Sequence, residues 1–152
     1  LLDARGFGPE DFARSHPGGS LGRRLLTHVR DVMRSGDDVP TVGPLTGVSD
    51  AILAMSRGGL GLVAVVGDAG RVLGIFTDGD LRRAFEKRID LQSARIDSVM
   101  HANPRTIAPD RLAVEAVEMM ERYRINALLV ADADGRLLGA LNMHDLFTAR
   151  VI

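Results

Sequence analysis

Apolar residues follow two rhythms along this chain. Val48, Ala51, Ile52 and Met55 fall at i, i+3, i+4 and i+7, which is one face of a helix, and Thr46 just ahead of them is the expected N-cap. Two short apolar runs follow, Leu62–Val66 and residues 72–76. Both are too short for helices and rich in β-branched or aliphatic residues. Their unbroken apolar character predicts strands covered on both faces. Gly67-Asp68-Ala69-Gly70 between them predicts a hairpin with a left-handed residue at its closing Gly. Helical spacing resumes over residues 78–87, with Leu81, Ala84 and Phe85 on one face, and Thr41-Val42 reads as a short leading strand. The predicted order is strand, helix, strand, strand, helix.

The same order then repeats. Shifting the chain by 65 residues aligns Thr41 with Thr106 and runs without a gap to Leu81 and Leu146. Identical pairs include Pro44/Pro109, Ala51/Ala116, Met55/Met120, Val65/Val130, Gly70/Gly135, Arg71/Arg136, Gly74/Gly139 and Asp80/Asp145. The second helix face is Ala113, Ala116, Val117 and Met120, with Asp110 as the expected cap. The second pair of strands is Ala127–Ala131 and residues 137–141, around Asp132-Ala133-Asp134-Gly135. Ahead of Thr41 the offset becomes 67, matching Val32-Met33 to Val99-Met100, and residues 87–97 form a polar connector. Two copies of one folding unit imply a pseudo-twofold interface, and clefts at such interfaces are frequent ligand sites.

Composition narrows the function. The chain is 45% hydrophobic and 26% charged with a net charge of −1, which gives no support to nucleic-acid binding. No apolar run approaches the length of a membrane span. The absence of cysteine excludes thiol catalysis and disulfides, and is compatible with a reducing cytoplasm. The first residue is Leu1 rather than Met, and the chain reads as a piece of a longer protein.

Gly74-Ile75-Phe76-Thr77-Asp78-Gly79-Asp80 and Gly139-Ala140-Leu141-Asn142-Met143-His144-Asp145, in this element order, resemble a tandem pair of CBS domains. The resemblance covers about residues 28 to 152 and implies an α/β (α+β) fold of two units in pseudo-twofold arrangement. It also implies a regulatory module with nucleotides in the clefts between units. The first unit fits the family pattern of Gly, two apolar residues, Thr or Ser, and Asp three further on; in the second, Asn142 replaces the hydroxyl residue. The stretch Asp11-Phe12-Ala13-Arg14-Ser15-His16-Pro17-Gly18-Gly19-Ser20-Leu21-Gly22-Arg23-Arg24 resembles the end of a sugar-isomerase (SIS) domain of the D-arabinose 5-phosphate isomerase family. The resemblance therefore divides the chain into an SIS tail (1–27), a first CBS unit (28–90) and a second (91–152).

What the resemblance implies can be assigned residue by residue. His16 falls at the active site of the parent isomerase as an acid–base residue, and imidazole suits that proton transfer near neutral pH. No other residue of a sugar-isomerase site can be placed here, so the isolated chain is expected to be inactive. Asp80 would take both hydroxyls of a ribose, and Thr77 would donate to a phosphate, helped by the free N–H groups of the helix start; Asp78 beside them belongs to the ligand-binding set. The same residues also suit helix capping, and the two roles are compatible. Asn142, His144 and Asp145 are the second unit's counterparts. Arg82 and Arg83 could pair with an anionic group, and Thr41, Arg105 and Thr106 at the leading strands complete the ligand-binding set. Met55, Met119 and Met120 read as core or dimer-face residues. The four histidines lack metal-ligand spacing, and no metal or obligate cofactor is expected. The expected effector is CMP-Kdo, with AMP or ATP as the alternative. The expected protein partners are the parent's own SIS domain and a second CBS pair in a homodimer, with a tetramer open to the parent. A dimerisation module without ligand is the rival reading.

Overall fold

The computed structural model describes residues 25–152. His16 and most of the expected SIS tail lie outside them. In the first half are α1 (Val29–Val32), β1 (Thr41–Val42), α2 (Val48–Gly58), β2 (Leu62–Val66), β3 (Val72–Thr77) and α3 (Asp78–Glu86). The second half holds β4 (His101–Ala102), β5 (Thr106–Ile107), α4 (Ala113–Tyr123), β6 (Ala127–Ala131), β7 (Leu137–Asn142) and α5 (Met143–Thr148). The mixed α/β order expected from the sequence is present in both halves. No helix among the described residues is long and apolar enough to cross a membrane.

Each half centres on one sheet. β1 runs parallel to β2, and β2 antiparallel to β3; β5, β6 and β7 repeat this pairing. The apolar runs are covered on both faces, as their composition requires. Val63 and Val65 pack with Val48, Ala51, Met55 and Phe76 of their own half. Leu62, Ala64 and Ile75 pack against Leu129 and Ala140 of the other. The hairpins close through Gly70 at φ 74° and Gly135 at φ 83°, left-handed angles that glycine adopts at little cost. Arg71 bridges Arg136, its own counterpart in the repeat, and the Val72 N–H donates to the Gly135 carbonyl at 2.9 Å. The pseudo-twofold axis therefore passes between the two hairpins.

The segments leading into each half are exchanged. Val29 of α1 is buried with α4, β6 and β7 of the second half. Ile96, in a short 3-10 turn (Ile96–Ser98), is buried with α2, β2 and β3 of the first. This exchange explains three departures from the sequence reading. The N-caps are Gly47 and Leu112, not Thr46 and Asp110. At those helix starts the Val48 N–H donates to the Ala94 carbonyl at 3.0 Å, and the Ala113 N–H to the Thr27 carbonyl at 2.8 Å. Backbone from the exchanged segments thus satisfies donors that a capping side chain would otherwise serve. The third departure is β4, which adds to the outer edge of β3. Two residues of polar chain carry no periodicity that would predict a strand. A fourth departure has a different origin: Phe85 is 73% exposed rather than part of the α3 core face.

The exchange also explains the two repeated glycines. A Cβ at Gly74 would collide with the Met100 sulfur, and one at Gly139 with the Arg34 carbonyl. Both strands must leave room for the crossing segment. That crossing sets His101 opposite Ile75 and Arg34 opposite Ala140, equivalent places in the two halves. In the connector, Asp90 accepts from the Ser93 hydroxyl at 2.8 Å and the Gln92 N–H at 3.0 Å. The Ser93 bond first, then the Gln92 bond, hold its carboxyl below the ordinary carboxylate range.

Candidate functional site

The strand-to-helix junction of β3 and α3 is built as a reciprocal cap. The Asp80 N–H donates to Thr77 Oγ1 at 3.3 Å, while Asp80 Oδ2 accepts from the Thr77 N–H at 2.9 Å and its hydroxyl at 3.1 Å. Two orphan donors are thereby satisfied. The remaining oxygen, Oδ1, accepts from Arg83 Nη2 at 2.6 Å. Asp80 is 11% exposed and Arg83 61% exposed, so the arginine can swing off into water. A carboxylate has about four acceptor positions, and Oδ1 keeps capacity for a further donor.

The junction of β7 and α5 repeats the cap with a different residue. Asn142 Oδ1 accepts from the Asp145 N–H at 2.8 Å, and Asp145 Oδ2 from the Asn142 N–H at 3.2 Å. Asn is as good an N-cap as Thr, which accounts for the departure from a hydroxyl at this position. Its amide then donates to the Leu60 carbonyl of the other half at 3.3 Å. Asp145 differs from Asp80 in its charged partner. Arg34 grips it with both Nη2 (2.9 Å to Oδ1) and Nε (3.3 Å to Oδ2). The side chains are 32% and 13% exposed.

A cleft of about 810 Å³ opens between the halves. It is lined by Thr77, Asp78, Gly79, Asp80, Arg82 and Arg83 from the first half, and by Pro104, Arg105, Tyr123, Arg124, Ile125 and Asn126 from the second. His101, Asn142, Met143 and His144 also face it, with Leu60, Gly61, Ile75 and Ala127 as its apolar side. Four arginines against two aspartates make the lining cationic. Arg105 lies over the Tyr123 ring, 3.5 Å from its centroid, a cation–π contact. His144 Nε2 stands 3.5 Å from Thr148 Oγ1. No cluster of three metal-ligating side chains exists among the described residues.

Thr77, Asp78, Asp80, Arg82, Arg83, Arg105, Asn142 and His144, all singled out in the sequence, meet in this one cleft. Thr41, Thr106 and Asp145 do not line it. Thr41 and Thr106 sit in the leading strands β1 and β5, paired to Ala64 and Leu129, and Asp145 is engaged by Arg34. Tyr123, Arg124 and His101 were not anticipated. The repeat itself held the signal for them: their counterparts are Gly58, Gly59 and Arg34, so the two copies differ where the cleft is built.

The two caps should respond differently to loss of their arginines. Arg34→Ala leaves a mostly buried carboxylate without its cation, at a cost of about 1–3 kcal/mol. Arg83→Ala also uncovers a mostly buried carboxylate, but its partner makes one contact and is 61% exposed, so water can take its place and the cost is expected to stay under about 1 kcal/mol. Calorimetric melting of the two variants checks this; equal shifts would mean that the pairs are energetically alike.

Comparison with known proteins places this geometry. The CBS domain family model matches residues 29–87 and 96–152. The chain is 52% identical over all 152 residues to the arabinose 5-phosphate isomerase KdsD of Pseudomonas aeruginosa. It spans 47% of that relative's length, so it matches about half of the curated protein. Among solved structures it is similar to the CBS domain pair of protein MJ0100 in complex with 5′-methylthioadenosine and S-adenosyl-L-methionine. The TM-score is 0.72 at 20% identity over 80% of this chain and 94% of that one. It is also similar to a CBS domain protein of Pyrobaculum aerophilum complexed with AMP, with TM-score 0.71 at 20% identity over 78% and 89%.

Proposed function

We propose that this chain, which belongs to the CBS-domain family, is the nucleotide-sensing half of a cytoplasmic arabinose 5-phosphate isomerase. The full-length identity to KdsD relatives about twice as long supports the second part. The cleft at the start of α3 carries the first: a capped helix N-terminus, a carboxylate with spare acceptor capacity and four arginines converge on one volume. Asp80 takes the ribose hydroxyls after Arg83 swings away. The Thr77 hydroxyl and the Asp78 N–H are already committed, to Asp80 Oδ2 and to the Gly61 carbonyl, so Arg82 and the positive end of the α3 dipole receive the phosphate. The preferred effector is CMP-Kdo, the activated product to which arabinose 5-phosphate leads, since it joins a ribose, a phosphate and a carboxylated sugar. Adenosine nucleotides come second, because related folds are complexed with them.

Titration of the chain by calorimetry tests this. A ligand at about 100 times its Kd adds about 2.7 kcal/mol, a melting rise of roughly 5–10 °C. Asp80→Ala is expected to weaken binding about 10- to 100-fold and also to lower the melting point of the free protein, because the cap is lost. Asp80→Asn keeps an oxygen for the Thr77 N–H and separates the two effects. Unchanged affinity in Asp80→Asn and Asp80→Ala would reduce Asp80 to a cap. No nucleotide response at all would favour the dimerisation module, a reading supported by the exposed Phe85 on α3 and Phe147 on α5. A homodimer through these helices would cover both.

A further inference from the structure

The two halves end their first long helix in the same way. Gly59 closes α2 at φ 68° and Arg124 closes α4 at φ 54°, both left-handed. Glycine adopts that conformation freely, whereas a residue with a Cβ is strained there. Arg88 and Arg150 share the left-handed angle past the ends of α3 and α5, so strain alone does not single out Arg124. Its surroundings do. Arg88 and Arg150 line no part of the cleft, whereas Arg124 does. Of the four cleft arginines, Arg83 is held by Asp80 and Arg105 by the Tyr123 ring. Arg82 and Arg124 have no ion pair or ring partner among the described residues. One stands on α3 in the first half, the other at the end of α4 in the second. The unpaired cations therefore occupy both walls of the cleft.

We infer that Arg124 is a specificity-determining residue: it receives an anionic group that the ligand carries beyond its first phosphate, a second phosphate or a sugar carboxylate. This rests on the reading of the cleft as a nucleotide site and adds the class of effector. A nucleoside monophosphate satisfies the α3 wall and leaves Arg124 unused. A nucleotide extended by an anionic group spans both walls and engages it. The repeat copy, with Gly59 at the equivalent place, lacks this cation and has its own carboxylate, Asp145, closed by Arg34. One extended nucleotide per chain follows.

The test uses the full 152-residue chain with four probes: CMP, CMP-Kdo, AMP and ADP. Arg124→Gly is expected to raise the Kd of CMP-Kdo and ADP about tenfold or more and to move that of CMP and AMP less than about twofold. The free protein is expected to melt about 2–4 °C higher, because the left-handed position is relieved. Arg124→Asn, which tolerates the same backbone, guards against loosening of the helix end and should give the same affinity pattern. Loss for CMP-Kdo but not ADP identifies the carboxylate as the group read; loss for ADP but not CMP-Kdo identifies the second phosphate. Equal affinity changes across all four probes, or none, overturn the role of Arg124 while the Asp80 variants still report on the site. Failure of every probe to bind the unaltered chain overturns both readings, as does a stoichiometry of two with equal affinities for the single-site assignment.

Discussion

Phe76→Ala is expected to lower the unfolding free energy by about 3–5 kcal/mol and the melting temperature on the order of 10 °C. Phe76 is fully buried on β3 against Val48, Met55 and the exchanged Ile96. Its counterpart Leu141 is fully buried in the second half with the exchanged Val29, and Leu141→Ala should cost about 2–5 kcal/mol. The stronger expectation concerns cooperativity. Each half contains a segment of the other, and a third apolar cluster is shared between the sheets. Neither half can unfold without stripping buried surface from its partner. Both variants should therefore show one transition, moved as a whole. The chain has no tryptophan and one tyrosine, so calorimetry and far-ultraviolet circular dichroism are the suitable probes. Two resolved transitions, only one of them displaced by Phe76→Ala, would show that the halves are independent.

This exchange also marks the limit of what the sequence could disclose. The strands and long helices were legible because each carries its own periodicity, and the hairpin glycines because a left-handed turn demands them locally. Thr77 and Asp80 were legible because capping acts over three residues. By contrast, the caps of α2 and α4 come from backbone supplied by the other half, and no local pattern announces a carbonyl from Ala94 or Thr27. The Arg34–Asp145 pair spans 111 residues, and nothing near Asp145 predicts that its carboxylate is taken. In sequence only Asn142 sets Asp145 apart from Asp80; in the fold its carboxylate is also taken by Arg34. Phe85 follows the apolar spacing of α3, but a short helix with one sheet to cover buries only a narrow stripe, and Ala84 fills it. The cleft's second wall was visible in principle. Aligning the copies sets Tyr123 and Arg124 against two glycines, and such a change in side-chain chemistry at a shared position is where function diverges between repeats.

In the full-length protein, His16→Ala is expected to reduce turnover of arabinose 5-phosphate by roughly a hundred- to ten-thousand-fold, the usual worth of a general acid–base group. Interconversion of an aldose and a ketose moves a proton between adjacent carbons and another between their oxygens, and an imidazole titrates in the range where both steps run. His16, in Ser15-His16-Pro17-Gly18-Gly19, lies outside the described residues, so this assignment stands on the resemblance and the chemistry. The four arginines, two aspartates and two histidines of the interunit cleft are assigned to the effector instead. A clean division of labour follows. His16→Ala should lower turnover in the full-length protein by that factor and leave the nucleotide Kd of the 152-residue chain unchanged. Asp80→Asn should weaken nucleotide binding. The unaltered 152-residue chain should show no turnover above its own His16→Ala control, even at high protein concentration. Near-normal turnover by full-length His16→Ala would remove His16 from the catalytic set. Turnover by the 152-residue chain above that control would place an isomerase site within it and overturn the division between sensing and catalysis.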